Sequence, residues 1–193
     1  MEKKITVPTV LSNGVALGLK NFVSLIGCVI LYALTCWIPY INIGTTIAMA
    51  KLPLELAKGN AISPMSIFDK KHFEHLSNYF LIQGLIIAGS AAGAAIGFFP
   101  GIVIAYAWSL GILLMLDKGT GPLESLSLSY KLTMGYKWTM FFSEFIIGVA
   151  LGILCLLFSF IPFVGILFIL AVMLLVMPIR MGIQAYIYSQ LAE

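Results

Sequence analysis

Five apolar runs, 22–38, 80–98, 102–116, 139–160 and 163–179, leave this chain few ways to fold. Each is near the roughly 20 residues that a helix needs to cross a bilayer. In lipid a segment must satisfy its own backbone N–H and C=O groups, so such runs read as helices. Composition agrees: 61% of the residues are hydrophobic and 10% are charged, against about 25% charged in a soluble domain. Too little polar material remains to cover a water-facing surface. The expected fold class is an all-α, multi-pass membrane protein forming a single domain over 1–193.

Five crossings would scatter the basic residues over both faces. A sixth candidate, INIGTTIAMAKL at 41–52, is short and polar, but including it turns the chain into three hairpins. Their tips, WIPYIN, FFPGI and FIPFVG, carry no charge, and all 11 Lys and Arg fall on the other side. An excess of Lys and Arg marks the cytoplasmic face. The sequence therefore predicts six spans with both termini cytoplasmic, Tyr40 and Phe99 outside and Lys70 inside. Lys51 must then snorkel from the end of a weak second span. The N-terminal Lys3 and Lys4 followed by an apolar run resemble a signal peptide, but no small-residue cleavage site closely follows, so the run is read as a retained span.

An internal repeat follows from the same hairpins. Pro39, Pro100 and Pro162 are 61 and 62 residues apart, each at a tip. Proline suits a tip because it lacks a backbone donor and disfavours helix in the residue before it. A second proline follows each outgoing span, in KLPLEL, TGPLESL and VMPIRMG, and LSNGVALGLKNF (11–22) aligns with LSYKLTMGYKWT (128–139). The predicted units are about 7–60, 61–121 and 122–193, related by an axis along the membrane normal. The plainer alternative is that any hairpin in lipid favours proline at its tip.

The segment 126–140 alternates like a strand, but a lone strand beside a bilayer leaves unpaired edges. Its start, TGPLE, carries helix-start signals. Leu123, Leu126, Tyr130 and Met134 share one helical face, which predicts an amphipathic helix in the inner interface, with Tyr136 and Trp138 at headgroup depth. Residues 64–79 look like its counterpart before the second hairpin.

IFDKKHF, the stretch from Phe98 to Phe142, and PIRMGIQAYIYSQL together resemble a family of bacterial integral-membrane proteins of unknown function. That family is related to the membrane domain found beside glycerophosphodiester phosphodiesterases. The likeness spans roughly 66–190. It rests on the turn Pro100-Gly101-Ile102, on Asp117 at the end of a span, and on Met134, Gly135, Lys137 and Trp138. It implies a six-helix fold in a bacterial inner membrane and supplies no activity, because the family has none firmly assigned.

Chemistry-bearing motifs are sparse. The two histidines, His72 and His75, lie near Asp69 and Glu74, but no third metal ligand is evident and a solvated polar face explains them. There is no phosphate-binding glycine loop, nucleophile elbow or pair of catalytic carboxylates, so no catalytic residue, metal or cofactor is expected. Cys28, Cys36 and Cys155 sit in apolar runs and read as small core residues. A net charge of +3 gives no reason to expect a nucleic-acid partner. Ionisable groups in a span are functional candidates. Glu144 is one. Glu55, Glu124 and Arg180, each two residues after a proline, form a candidate charged inner ring, the alternative being ordinary interfacial charge with Arg180 snorkelling.

The run GSAAGAAIGFFPG raises the remaining question. Each glycine inside a helix costs about 1 kcal/mol relative to alanine, so Gly89, Gly93 and Gly97 need compensation. In lipid, close packing of small residues supplies it. A glycine-zipper face on the third span is expected, with Gly101 belonging to the turn. It serves packing within the chain, a homo-oligomer seam or the wall of a lipid path. Three functions stay open: a non-enzymatic protein that moves or senses a lipid or small solute, an accessory subunit binding another membrane protein, and a lipid-modifying enzyme. Few polar residues fall in the spans, which disfavours a wide aqueous pore and leaves membrane lipid as the preferred partner.

Overall fold

A computed structural model describes residues 5–159 and 164–192. These residues are helical, with no strand among them. In order they form α1 (Val7–Lys20), α2 (Phe22–Thr35), α3 (Pro39–Ala57), two 3-10 turns (Pro64–Phe68 and Lys70–His75), α4 (Leu76–Ile96), α5 (Phe98–Ala107), α6 (Gly111–Lys118), α7 (Pro122–Leu132), α8 (Lys137–Ser159) and α9 (Val164–Leu191). Pro162 and the third hairpin tip lie outside the described residues, as do Lys3, Lys4 and Glu193.

Local chemistry sets the boundaries. Pro39 opens α3 after an extended Ile38, and Pro122 opens α7 with Glu124 in its first turn, where the missing donor costs nothing and an acid suits the helix N-terminus. Pro100 likewise falls in the first turn of α5, after the chain reverses at an extended Gly97. Gly119 ends α6 at φ 64, a left-handed position where a Cβ is unfavourable.

Three stretches are long and apolar enough to cross a membrane: Lys70–Ile96, Phe98–Lys118 and Lys137–Phe158. The pair α1 and α2, bent by 73° at Asn21, makes a fourth if counted as one span. The described residues are thus all-helical, with several helices suited to crossing a membrane, consistent with a multi-pass membrane protein. α9 carries the fifth apolar run.

α3 departs from the six-span expectation. The Tyr40 ring at its start stacks on Phe73, with centroids 5.1 Å apart, and Tyr40 and Lys70 line one cavity. Further along, Lys51 and Glu55 share a second cavity with Ser66 and His72. At its far end Lys58 pairs with Asp117. Segment 61–75 therefore runs back along α3, so Tyr40 and Lys70 lie together and not on opposite sides of a bilayer. Both ends of α3 meet the same end of the α4–α5–α6 hairpin, because Leu76 begins α4 where Asp117 ends α6. α3 lies across the base of that hairpin. α2 runs antiparallel beside it, with Tyr32 Oη 3.3 Å from Thr46 Oγ1. The reason is compositional: Asn42, Thr45, Thr46, Lys51 and Glu55 make α3 a poor span and a good partner for a polar segment.

The surface segments also differ from expectation. Residues 64–75 form 3-10 turns, broken where the Asp69 carboxylate accepts from the Lys71 N–H. α7 buries its hydroxyl face. Ser125, Ser129 and Thr133 are fully buried, whereas Leu123, Tyr130 and Met134 are exposed. The hydroxyls repair a break between α5 and α6. Ser129 Oγ donates to the Ala107 carbonyl at 2.8 Å and accepts from the Leu110 N–H at 3.2 Å, and Thr133 Oγ1 donates to the same carbonyl at 3.3 Å. Irregular backbone at membrane depth survives only where protein satisfies it. The aligned glycines of the supposed repeat do different work: Gly18 is buried inside α1, while Gly135 sits in a turn at φ 86.

The core has two parts. Val10, Ile82, Leu114 and Ile183 belong to one joining α1, α4, α6 and α9, and Leu25, Leu52, Ile67 and Ala185 to another joining α2, α3, the first 3-10 turn and α9.

Candidate functional site: a charged groove between α5, α8 and α9

Glu144 lies two turns into α8, and Arg180 lies two residues past Pro178 within α9. Antiparallel packing of these helices brings them together. Arg180 Nη2 donates to Glu144 Oε2 at 3.3 Å, and the Tyr106 hydroxyl of α5 donates to the same oxygen at 3.2 Å. The Arg180 side chain remains 63% exposed. A guanidinium offers five donors, and among the described residues this one makes a single long bond. Beside the pair runs a cavity of about 310 Å³, walled by Phe141, Phe145, Leu151 and Val176, with Glu144 and Arg180 among its lining. That volume is at the lower end of the roughly 300–1,000 Å³ of small-molecule sites. One charged end and an otherwise apolar wall make an amphiphile the natural guest.

The candidate inner ring does not assemble. Glu55 pairs with Lys51 at 3.0 Å and accepts from Asn60 Nδ2 at 2.6 Å. Glu124 is exposed in the first turn of α7. Arg180 goes to Glu144. Each group has a nearer partner or water than the other ring members. A different cluster joins the three sequence units: Lys58 pairs with Asp117 Oδ1, and the fully buried Tyr188 donates to Asp117 Oδ2 at 2.5 Å.

The glycines of α4 face α5. A Cβ on Gly93 would lie 3.1 Å from the Gly101 backbone, and one on Gly89 would strike the Trp108 ring. Gly101 is not confined to the turn: it is helical, buried, and faces Ala94. Gly97 stands at the reversal, facing only the Pro100 ring. A closer glycine crossing, unforeseen from sequence, joins α1 to α9. A Cβ on Gly14 would lie 2.7 Å from Ile183 Cα, and one on Gly182 would lie 2.5 Å from the Gly18 N. The spacing Gly14-x-x-x-Gly18 was its visible signal. Gly148 and Gly152 on α8 carry the same spacing, with nothing within 4 Å among the described residues. Tyr106 had no signal, since its role depends on where α5 meets α8.

His72 Nε2 lies 3.0 Å from the Ser66 carbonyl oxygen, and no metal-binding group of three ligands occurs among the described residues. Compared with known protein families, curated proteins and solved structures, the chain matches none.

Proposed function

We propose that this protein is a non-enzymatic, multi-pass membrane protein that binds a lipid in the α5–α8–α9 groove, to move or sense it. The observation that carries the reading is the junction of a partly exposed Arg180 and Glu144 with an apolar channel on the helices suited to the membrane. The groove needs no wide polar path, which suits spans with few polar groups. The test is lipid binding by purified protein in nanodiscs, read by native mass spectrometry. Leu151→Trp, which fills the groove, should lower retained lipid several-fold, and unchanged retention would sink the reading.

The topology we propose has four crossings, α4, α5–α6, α8 and α9, in a bacterial inner membrane. The α2–α3 hairpin lies against the basic, cytoplasmic face, and both termini are on that face. The lysines of α3, the 3-10 turns, the end of α6, α7 and the start of α8 then share one side. The likeness to the membrane domain beside glycerophosphodiester phosphodiesterases is compatible with a lipid-facing role, and the six-span repeat is a less economical account of the packing at Tyr40.

A second reading, an accessory subunit, is favoured by one observation. α8 is the least buried of the candidate spans, and a Cβ on its Gly152 would meet nothing within 4 Å among the described residues. Such a surface suits a second helix. Cysteine crosslinking at position 152 to the same chain or to another membrane protein separates this from a lipid-facing helix.

A further inference from the structure

The groove carries a statement about which lipid it takes, and this rests on the lipid-binding reading above. Tyr188, bonded to Asp117 at the base, lies eight residues beyond Arg180, so Arg180 is about 12 Å above the base by helical rise. Glu144 is seven residues past Lys137, about 10 Å above the same face. Both are within the reach of a snorkelling arginine to the headgroup layer. Phe141 and Ile183 line the groove on the base side of the pair, and Phe145, Ile147, Leu151 and Val176 run away from the base along α8 and α9, as a chain hanging from that headgroup would.

We infer that the groove is selective for an anionic phospholipid, whose phosphate takes Arg180 and displaces Glu144, with one acyl chain along α8. Charge complementarity commits the occupant. The lone bond from Arg180 to Glu144 is long and single, whereas guanidinium and phosphate favour two short parallel bonds. Glu144 acts as an internal counter-ion that holds the site when lipid is absent. Tyr106, already bonded to the same carboxylate oxygen, keeps Glu144 satisfied once the guanidinium turns to phosphate. Glu144 therefore competes with the lipid and also repels it, so removing its charge should tighten binding. A simple structural ion pair predicts the opposite, because loss of either partner would harm the site equally.

The test is titration of the full chain in detergent with phosphatidylglycerol and with phosphatidylcholine of matched chains, read by native mass spectrometry. The wild type should favour phosphatidylglycerol by about tenfold, Arg180→Gln should abolish the preference, and Arg180→Lys should keep part of it. Glu144→Gln should bind phosphatidylglycerol several-fold more tightly. Excess inorganic phosphate should not displace the lipid, since it lacks the chain. If Arg180→Gln keeps the preference, or Glu144→Gln weakens phosphatidylglycerol binding, the inference is overturned. If Arg180→Gln does not fold, Arg180→Lys and Glu144→Gln decide alone. Leu151→Trp separates the two levels. When it weakens both lipids while Arg180→Gln leaves the preference intact, the groove stands and the headgroup assignment falls. When it changes neither, the groove reading falls as well.

Discussion

Tyr188 donates its hydroxyl to Asp117 Oδ2 at 2.5 Å, from a side chain with no exposed surface, while Lys58 takes the other oxygen. One carboxylate at the end of α6 thus ties α3 to α9. Tyr188→Phe should lower stability by about 1.5–3 kcal/mol, the range for a hydrogen bond to a charged group. Lys58 is largely exposed, so Lys58→Met should cost less. Thermal unfolding in detergent orders the two variants, and a Tyr188→Phe protein as stable as the parent would remove the clasp from the account.

The glycine contacts predict a ranking. Gly182→Leu, at the α1–α9 crossing, should be the most damaging. Gly93→Leu, against Gly101, comes next, with overpacking costs of about 1–3 kcal/mol or more. Gly152→Leu, which meets nothing among the described residues, should leave monomer stability unchanged. Melting temperatures of the three check this, and equal losses at 93 and 152 would contradict it.

Ser129 holds both sides of the α5–α6 break. Ser129→Ala leaves the Leu110 N–H without its acceptor, and only Thr133 then serves the Ala107 carbonyl. The expected loss is about 1–3 kcal/mol, the cost of leaving a buried donor without its acceptor. Hydrogen exchange at Leu110 should quicken in this variant. An unaltered rate would place the break's stability elsewhere.

Topology is open to labelling. In a background without Cys28, Cys36 and Cys155, a cysteine at position 99 should react with an impermeant thiol reagent in intact cells. Cysteines at 40 and 70 should both be protected. Labelling at 40 with protection at 70 would restore six crossings.

The hairpin reversal at Gly97 was legible because Pro100 and the small residues of α4 are local signals. The ring of Glu55, Glu124 and Arg180 was not, because equal spacing from a proline says nothing about which charge lies nearest in space. Arg180 had Glu144 within reach, and Glu55 had Lys51 one turn away.

Sequence alone determined that the chain is helical, with runs long and apolar enough to cross a membrane. Apolar length and charge position follow from the cost of leaving backbone or charge in hydrocarbon, whatever the tertiary arrangement. Where the tip of the first hairpin packs was decided only in three dimensions. A charge-free tip satisfies the same charge distribution on either face, and the stacking of Tyr40 on Phe73 is what sets it beside Lys70. The groove was likewise a tertiary outcome. Tyr106, Glu144 and Arg180 come from three helices, and only the crossing of α5, α8 and α9 makes them one site.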